Sequence, residues 1–410
     1  MKLKSDAFKA LRIAEFRNFT FARLFITLGM LMQSVIVGWQ VYELTRGPFS
    51  LGLIGLAEAI PAILTALIAG HIVDTNDRKK ILMYSFILMF ICTSALLLIS
   101  TDTVFLFAHH KVIAIYSVIF ISGIARGFSI PSAFALLSQV VPRELYPNAV
   151  TWNTSTWQIG AVAGPAVGGL IYGYFGVTYS YLTVAVMALV AIISVTTISK
   201  KPIPELTDEI SLGDRLSAGI RFVFQNKIIL SAMTLDMFAV LFGGAVAMLP
   251  VFAGEILLVG AQGLGLLRAA PSVGAVLMAL FLTHKPPTKN AGRNLLICVT
   301  GFGLCIIAFA VSTSFILSLV LLALSGMFDS VSVIIRQTII QLKTPDNMKG
   351  RVSAVNSIFI GSSNEIGAFE SGLAAKLMGV VPSVIFGGLM TLVVVFIVTL
   401  SSRSLRKLRL

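Results

Sequence analysis

The sequence predicts an all-α polytopic membrane protein of twelve transmembrane helices in two pseudo-symmetric six-helix halves. Three observations carry the prediction. Of the 410 residues, 57% are hydrophobic and 12% charged, whereas soluble domains carry about 25% charged residues. Apolar runs close to the roughly 20 residues that cross a bilayer occur twelve times. The last six runs also repeat features of the first six at a nearly fixed spacing.

The runs fall at 18–45, 50–73, 81–100, 110–140, 149–171, 175–198, 228–257, 262–284, 293–312, 314–342, 352–377 and 380–402. The stretch before the first, "MKLKSDAFKALRIAEFRNF", is basic and amphipathic with no small-residue cleavage site. The first helix is therefore expected to serve as its own uncleaved insertion signal. With a cytoplasmic N-terminus, 24 of the 31 Lys and Arg lie in cytoplasmic segments and two, Arg46 and Lys111, on the other side. The positive-inside rule then puts both termini in the cytoplasm. Topology accounts for the formal charge of +13, and no nucleic-acid partner is implied. Cys92, Cys298 and Cys305 lie inside apolar runs and read as small hydrophobes, not as a disulfide framework.

The longest stretch outside the spans, 199–227, divides the chain into an N-terminal six-helix bundle (1–198), a cytoplasmic linker (199–227) and a C-terminal bundle (228–410). Within the linker, "LSAGIRFVF" reads as an amphipathic helix lying at the membrane surface. At an offset of 203 the halves align "ISGIARG" (121–127) with "LSGMFDS" (324–330), Asn153 with Asn356, Gly164 with Gly367 and Gly169 with Gly372. Near the start of each half the offset becomes 213, pairing "LGLI" (51–54) with "LGLL" (264–267) and Trp39 with Phe252. Such repeats mark a duplicated unit. Parallel six-helix halves describe the major facilitator fold, whose substrate site lies between the halves near mid-membrane.

Three stretches carry a family resemblance. Residues 160–169, "GAVAGPAVGG", resemble the helix 5 signature of proton-driven exporters of the major facilitator superfamily, with Gly160, Gly164, Pro165, Gly168 and Gly169 at its specified positions. Glycines four apart leave one side of a helix as bare backbone for close packing, and Pro165, lacking an N–H, is expected to bend it. Residues 70–80, "GHIVDTNDRKK", resemble the superfamily's gating loop between helices 2 and 3 through Gly70, Asp74, Arg78 and Lys79. Thr75 stands where the family usually has a basic residue and Asp77 where it usually has Gly, so the usual cationic partner of Asp74 is missing from its place. Residues 248–277 are similar to the helix 7–8 junction of a bacterial branch of siderophore (enterobactin) and macrolide or drug exporters.

Ten ionisable side chains fall well within the spans: Arg23, Glu58, Arg126, Asp236, Arg268, Asp329, Arg336, Glu365, Glu370 and Lys376. At about 3 kcal/mol each, exposing all ten to lipid sums to roughly 30 kcal/mol, beyond the 5–15 that stabilises a typical fold. Most must face water or each other. The repeat aligns Arg126 with Asp329 and Arg23 with Asp236, so the N-terminal half presents cations where the C-terminal half presents carboxylates. Asp329 is the first candidate for the proton site and Asp236 the second. Asp236 with Arg336, and Arg268 with Glu370, are also candidates for fixed ion pairs. Glu365 and Glu370 lie about 140° apart on their helix and cannot share one proton; Glu365 joins the candidates for substrate or proton binding. Among aromatics, Trp39, Trp152, Trp157, Phe238 and Phe242 suit either substrate stacking or ordinary packing.

The resemblance implies a secondary active exporter of a siderophore-like metabolite or drug at the bacterial inner membrane, working by proton antiport with alternating access. Within transport, the alternatives are an importer of the same superfamily and a lipid or lysolipid flippase. A receptor or sensor would need a soluble signalling domain, and no loop or tail is long enough for one. No G-x-x-x-x-G-K-[ST] occurs, so no nucleotide cofactor is expected and the proton gradient is the energy source. No nucleophile–base or metal-ligand spacing suggests an enzyme, and His109 with His110 is too little for a metal site. The expected partners are a small-molecule substrate, protons and the bilayer, and the chain is expected to be monomeric.

Overall fold

The computed structural model describes residues 8–101, 110–202, 212–243, 245–284, 290–345, 348–406 and 408, and every regular element among them is helical. The first five long helices are α1 (Ala14–Thr45), α2 (Pro48–Thr75), α3 (Arg78–Ser100), α4 (Lys111–Val140) and α5 (Tyr146–Thr196). After the amphipathic α6 (Leu212–Gln225) come α7 (Lys227–Phe242), α8 (Ala245–Val251), a π-helical turn (Phe252–Ile256), α9 (Gly260–His284), α10 (Ala291–Val311), α11 (Phe315–Lys343), α12 (Lys349–Met378), α13 (Val380–Ser401) and the short α14 (Arg403–Arg406).

Ten stretches among the described residues are long and apolar enough to cross a membrane. They differ from the expected spans in two places. α5 holds the two runs expected at 149–171 and 175–198 as two helical arms that meet end to end at a kink. At 1.5 Å per residue it would be about 77 Å long, more than twice the roughly 30 Å of a bilayer's hydrocarbon core. It breaks at Gly176, whose φ of 81° and ψ of 178° lie outside the helical region in a conformation open to glycine. Helical dihedrals persist through Pro165, and the break at Gly176 falls at the junction of the two expected spans. The second difference is α12, a helix of 30 residues in which Asn356, Ser363, Asn364, Glu365 and Glu370 dilute the apolar character.

The run expected at 228–257 is itself interrupted. A Cβ on Gly243, just past α7, would lie 2.7 Å from the Phe302 ring, so that ring occupies the room a side chain would take. Pro250 removes a donor from α8, and the ladder then widens into the π turn. The expected linker helix is present as α6. Gly219 lets it approach the Arg351 carbonyl of α12, where a Cβ would be 2.8 Å from the oxygen, and Val223 joins Ile229, Met233, Val352 and Val355 in a buried cluster. Residues 203–211 of the linker lie outside the described residues.

The described helices gather into two compact units, Met1–Gln40 with Ile60–Asp208, and Val41–Ala59 with Glu209–Leu410. The first is built on Phe16, Phe19, Leu82, Phe86, Leu136 and Ala191, and the second on Leu235, Leu295, Val299, Ile335 and Ile339 among others. The sequence repeat is a repeat of contacts. In the first unit a Cβ on Gly164 of α5 would lie 3.2 Å from the Leu28 carbonyl oxygen of α1; in the second, a Cβ on Gly367 of α12 would lie 2.6 Å from that of Leu241 on α7. Leu241 is Leu28 displaced by 213. Likewise Gly127 of α4 abuts the Ala62 carbonyl of α2, and the Ser330 hydroxyl of α11 donates to the Ala275 carbonyl of α9 at 3.3 Å.

Candidate functional site

In the second unit, α7 and α11 bring together three charged side chains. Asp236 and Arg336 form a buried ion pair between Oδ1 and Nη1, with the residues 7% and 3% exposed. Asp329 lies seven residues before Arg336 on α11, two turns up the same face and about 10 Å along the axis. Its electrostatic neighbours are Asp236 and Arg336. Two carboxylates therefore lie within electrostatic reach of one guanidinium, whose Nε is buried without a hydrogen-bond partner among the described residues. The surroundings are apolar: Leu235 and Ala239 on α7, Val331 and Ile335 on α11, and Val299 on α10. A medium that poorly screens charge makes the imbalance of this trio consequential.

Arg268 on α9 departs from expectation. Its electrostatic partners are Glu58 and Glu365, and Glu370 instead takes a hydrogen bond from the Ser371 hydroxyl. The 140° between the two glutamates explains the exchange, because only one of them can face α9. Ser363, Gly367 and Ser371 form the buried stripe of α12 that the repeat predicts.

In the first unit, the signature glycines of α5 accept α1. A Cβ on Gly160 would meet the Thr27 methyl at 2.6 Å, one on Gly164 the Leu31 Cβ at 2.9 Å, and one on Gly168 the Met32 Cα at 3.1 Å; Pro165 and Gly169 are buried beside them. Arg23 on α1 is partly buried, with its Nε hidden and without a hydrogen-bond partner among the described residues. Arg126 is partly buried on α4.

The loop between α2 and α3 supplies its own explanation for its departures from the family pattern. Asp77 caps α3, accepting from the backbone N–H groups of Lys79 at 3.1 Å and Lys80 at 3.2 Å. Asp74 finds its cation within the loop, in Arg78 at 3.8 Å, and Arg78 also donates to the Ala135 carbonyl of α4 at 3.3 Å. The Lys79 ammonium donates to the Thr196 carbonyl at 3.0 Å and to that of Ile198, closing the C-terminal end of α5, where cations are favoured. Gly70 has open space where a Cβ would be. A further tie, not foreseen, joins Glu15 to Lys201 and Ser199.

Among the aromatic candidates, Phe238 stacks on Phe242 at 6.1 Å and 13°, Trp152 tilts against Phe8, and Trp39 is buried while Trp157 is exposed. His110 precedes α4 and His109 lies outside the described residues. No group of three metal-ligating side chains occurs among the described residues. The three cysteines are buried and free. Sequence reasoning missed the tie between the Tyr42 hydroxyl and Glu255 Oε1 at 3.0 Å, and the contact of Gly52 and Gly55 with α12. The "GLIG" spacing at 52–55 was the available signal for the second.

A polytopic helical chain built from two related halves, with buried charges gathered between its helices, is a membrane transporter of the major facilitator class. The solved structure of a bacterial homolog of the human lysosomal transporter Spinster, in an inward-facing and unoccupied conformation, shares the fold with a TM-score of 0.77 over 97% of this chain and 98% of its own, at 14% identity. Residues 5–408 match the family described as transmembrane secretion effector, and the chain belongs to that family. Among its relatives are the enterobactin exporter EntS of Salmonella typhi, 24% identical over 98% of this chain and 94% of its own, and that of Shigella flexneri, 25% identical over 98% and 93%.

Proposed function

We propose that this transporter exports a small molecule across the bacterial inner membrane by proton antiport, alternating access between the two sides as its halves rock. The observation that carries the reading is the trio of Asp236, Asp329 and Arg336. One guanidinium neutralises one carboxylate, and a proton on Asp329 supplies the missing positive charge. A proton that arrives there removes a charge, and one that leaves restores it, so proton binding biases any rearrangement that changes the surroundings of Asp329. Counting the two arms of α5 separately and adding α12 gives twelve crossings, with both termini cytoplasmic by the distribution of Lys and Arg.

The substrate class follows from the first unit. The cations Arg23 and Arg126, on α1 and α4, suit an anionic metabolite of the siderophore type, and exporters of enterobactin are among the relatives. The loop of Asp74, Arg78 and Lys79 acts as the gate at the cytoplasmic side. The test uses inverted membrane vesicles acidified inside and offered siderophores and cationic dyes. The proposal expects accumulation of the anionic siderophore, lost when the pH gradient is collapsed. Accumulation independent of the gradient, or movement only of lipid analogues, would favour a different energy source or flipping.

A further inference from the structure

The amphipathic α6 packs by one stripe and leaves two others bare. Gly219 and Val223, four residues apart, are buried against α12 and the start of α7. Ile220 and Phe224 follow them by one residue each, about 100° further round the helix, and are 43% and 60% exposed. Arg221 and Gln225 come one residue further on and are exposed too. A bare apolar stripe beside a polar one is the arrangement of a helix lying in the headgroup boundary of a bilayer. The position agrees with that placement, because the membrane-spanning stretch that opens with α7 starts at Lys227, two residues after α6 ends at Gln225.

At this junction a cavity of about 410 Å³ opens between the end of α6, the start of α7 and α14. Its lining divides by chemistry. Phe222 and Ile228 are apolar, while Gln225, Asn226, Lys227 and Ser404 offer amide, ammonium and hydroxyl donors, and no carboxylate lines it among the described residues. Asn226 gives its side-chain oxygen to the Ile229 N–H at 3.2 Å, which leaves its amide N–H groups to donate elsewhere. The tail that carries Ser404 holds four cations within residues 401–409, Arg403, Arg406, Lys407 and Arg409, and no acid. The linker's acids, Glu205, Asp208, Glu209 and Asp214, lie in or before the first turn of α6, at the other end of that helix.

We propose that this cavity binds the headgroup of an anionic phospholipid, with Lys227 and Ser404 on the phosphate and the Ile220–Phe224 stripe beside the acyl chains. The occupant follows from both parts of the lining. Donors and a cation suit a phosphodiester, and the apolar wall and stripe suit the chains esterified to it; a soluble phosphate would use only the first. Basic segments beside a membrane span draw anionic lipid at the cytoplasmic surface, and the choice of that leaflet rests on the topology proposed above. A lipid seated there bridges the linker helix and the C-terminal tail.

The test places the full-length variant F224W in nanodiscs of phosphatidylcholine and phosphatidylglycerol, with bromine, a contact quencher of Trp fluorescence, on the chains of one lipid or of the other. The signal of the parent, which has three Trp of its own, is subtracted. Quenching is expected to report phosphatidylglycerol enriched beside position 224 by about fivefold or more, and K227Q to lower that enrichment about fivefold, the weight of one cation at an anionic surface. K227R is expected to keep it, and R143Q, which removes an exposed cation from the turn after α4, to leave it unchanged. I220W reports from the same stripe should F224W not fold. Both leaflets of the nanodisc contain both lipids, so an error in the topology leaves these results as they are. Equal quenching by the two lipids, or an enrichment that K227Q does not lower, overturns the site. Displacement of the brominated lipid by excess glycerol phosphate overturns the choice of a lipid as occupant.

Discussion

Replacing Arg336 by Gln probes the trio of Asp236, Asp329 and Arg336 most severely. Arg336 is 3% exposed and its partner Asp236 7%, so neither reaches water when the other is removed. R336Q leaves Asp236 and Asp329 as neighbouring carboxylates with their shared cation gone. Breaking a buried pair from one side costs about 3–5 kcal/mol, a large part of the roughly 5–15 kcal/mol that stabilises a typical fold. R336Q/D236N removes the stranded charge as well, and the double variant is expected to recover about 2–3 kcal/mol, a coupling of the size found for residues in contact. The assay is reversible unfolding of the purified protein in mixed micelles by a denaturing detergent, applied to the parent, both single variants and the double. A loss in R336Q within about 0.5 kcal/mol of zero, the range of an inconsequential surface substitution, would refute the reasoning. So would single-variant losses that simply add in the double.

Three further outcomes are expected. Gly367→Ala puts a methyl 2.6 Å from the Leu241 carbonyl oxygen and should cost about 1–3 kcal/mol by overpacking, while Gly361→Ala, in open space on the same helix, should stay within about 0.5 kcal/mol of the parent in the same unfolding assay. Asp77→Ala removes the cap of α3 and should cost about 1 kcal/mol, most of it regained by Asp77→Asn, whose amide oxygen can still accept. Asp74→Asn breaks a pair at 3.8 Å whose carboxylate is 52% exposed, so stability should change by less than about 1 kcal/mol; its effect should appear instead as slower substrate exchange in vesicles.

The fold was legible because membrane burial writes itself into composition. Runs of apolar residues locate helices whatever their neighbours, and the small-residue stripes at 160–168 and 363–371 identify the faces that meet α1 and α7. The breaks were less legible. Gly176 and Gly243 break or end helices in a chain with many glycines, and only the surroundings distinguish them. The Asp236–Arg336 pair could be anticipated because both residues lie within about a third of a span of the same membrane face. Depth in the membrane pairs Arg268 with Glu370, but its electrostatic partners are Glu58 and Glu365; depth does not say which face of α12 each glutamate takes. Asp77 departs from the family pattern in the gating loop because it caps α3.

If Asp329 carries the proton that drives export, simultaneous substrate and proton flux in proteoliposomes should differ in kind between the parent and Asp329→Asn. The parent should move protons one way and substrate the other in a fixed ratio. Asp329→Asn should exchange labelled for unlabelled substrate at equilibrium yet neither move protons nor concentrate substrate when a pH gradient is imposed. Undiminished proton-coupled accumulation by Asp329→Asn would contradict the account.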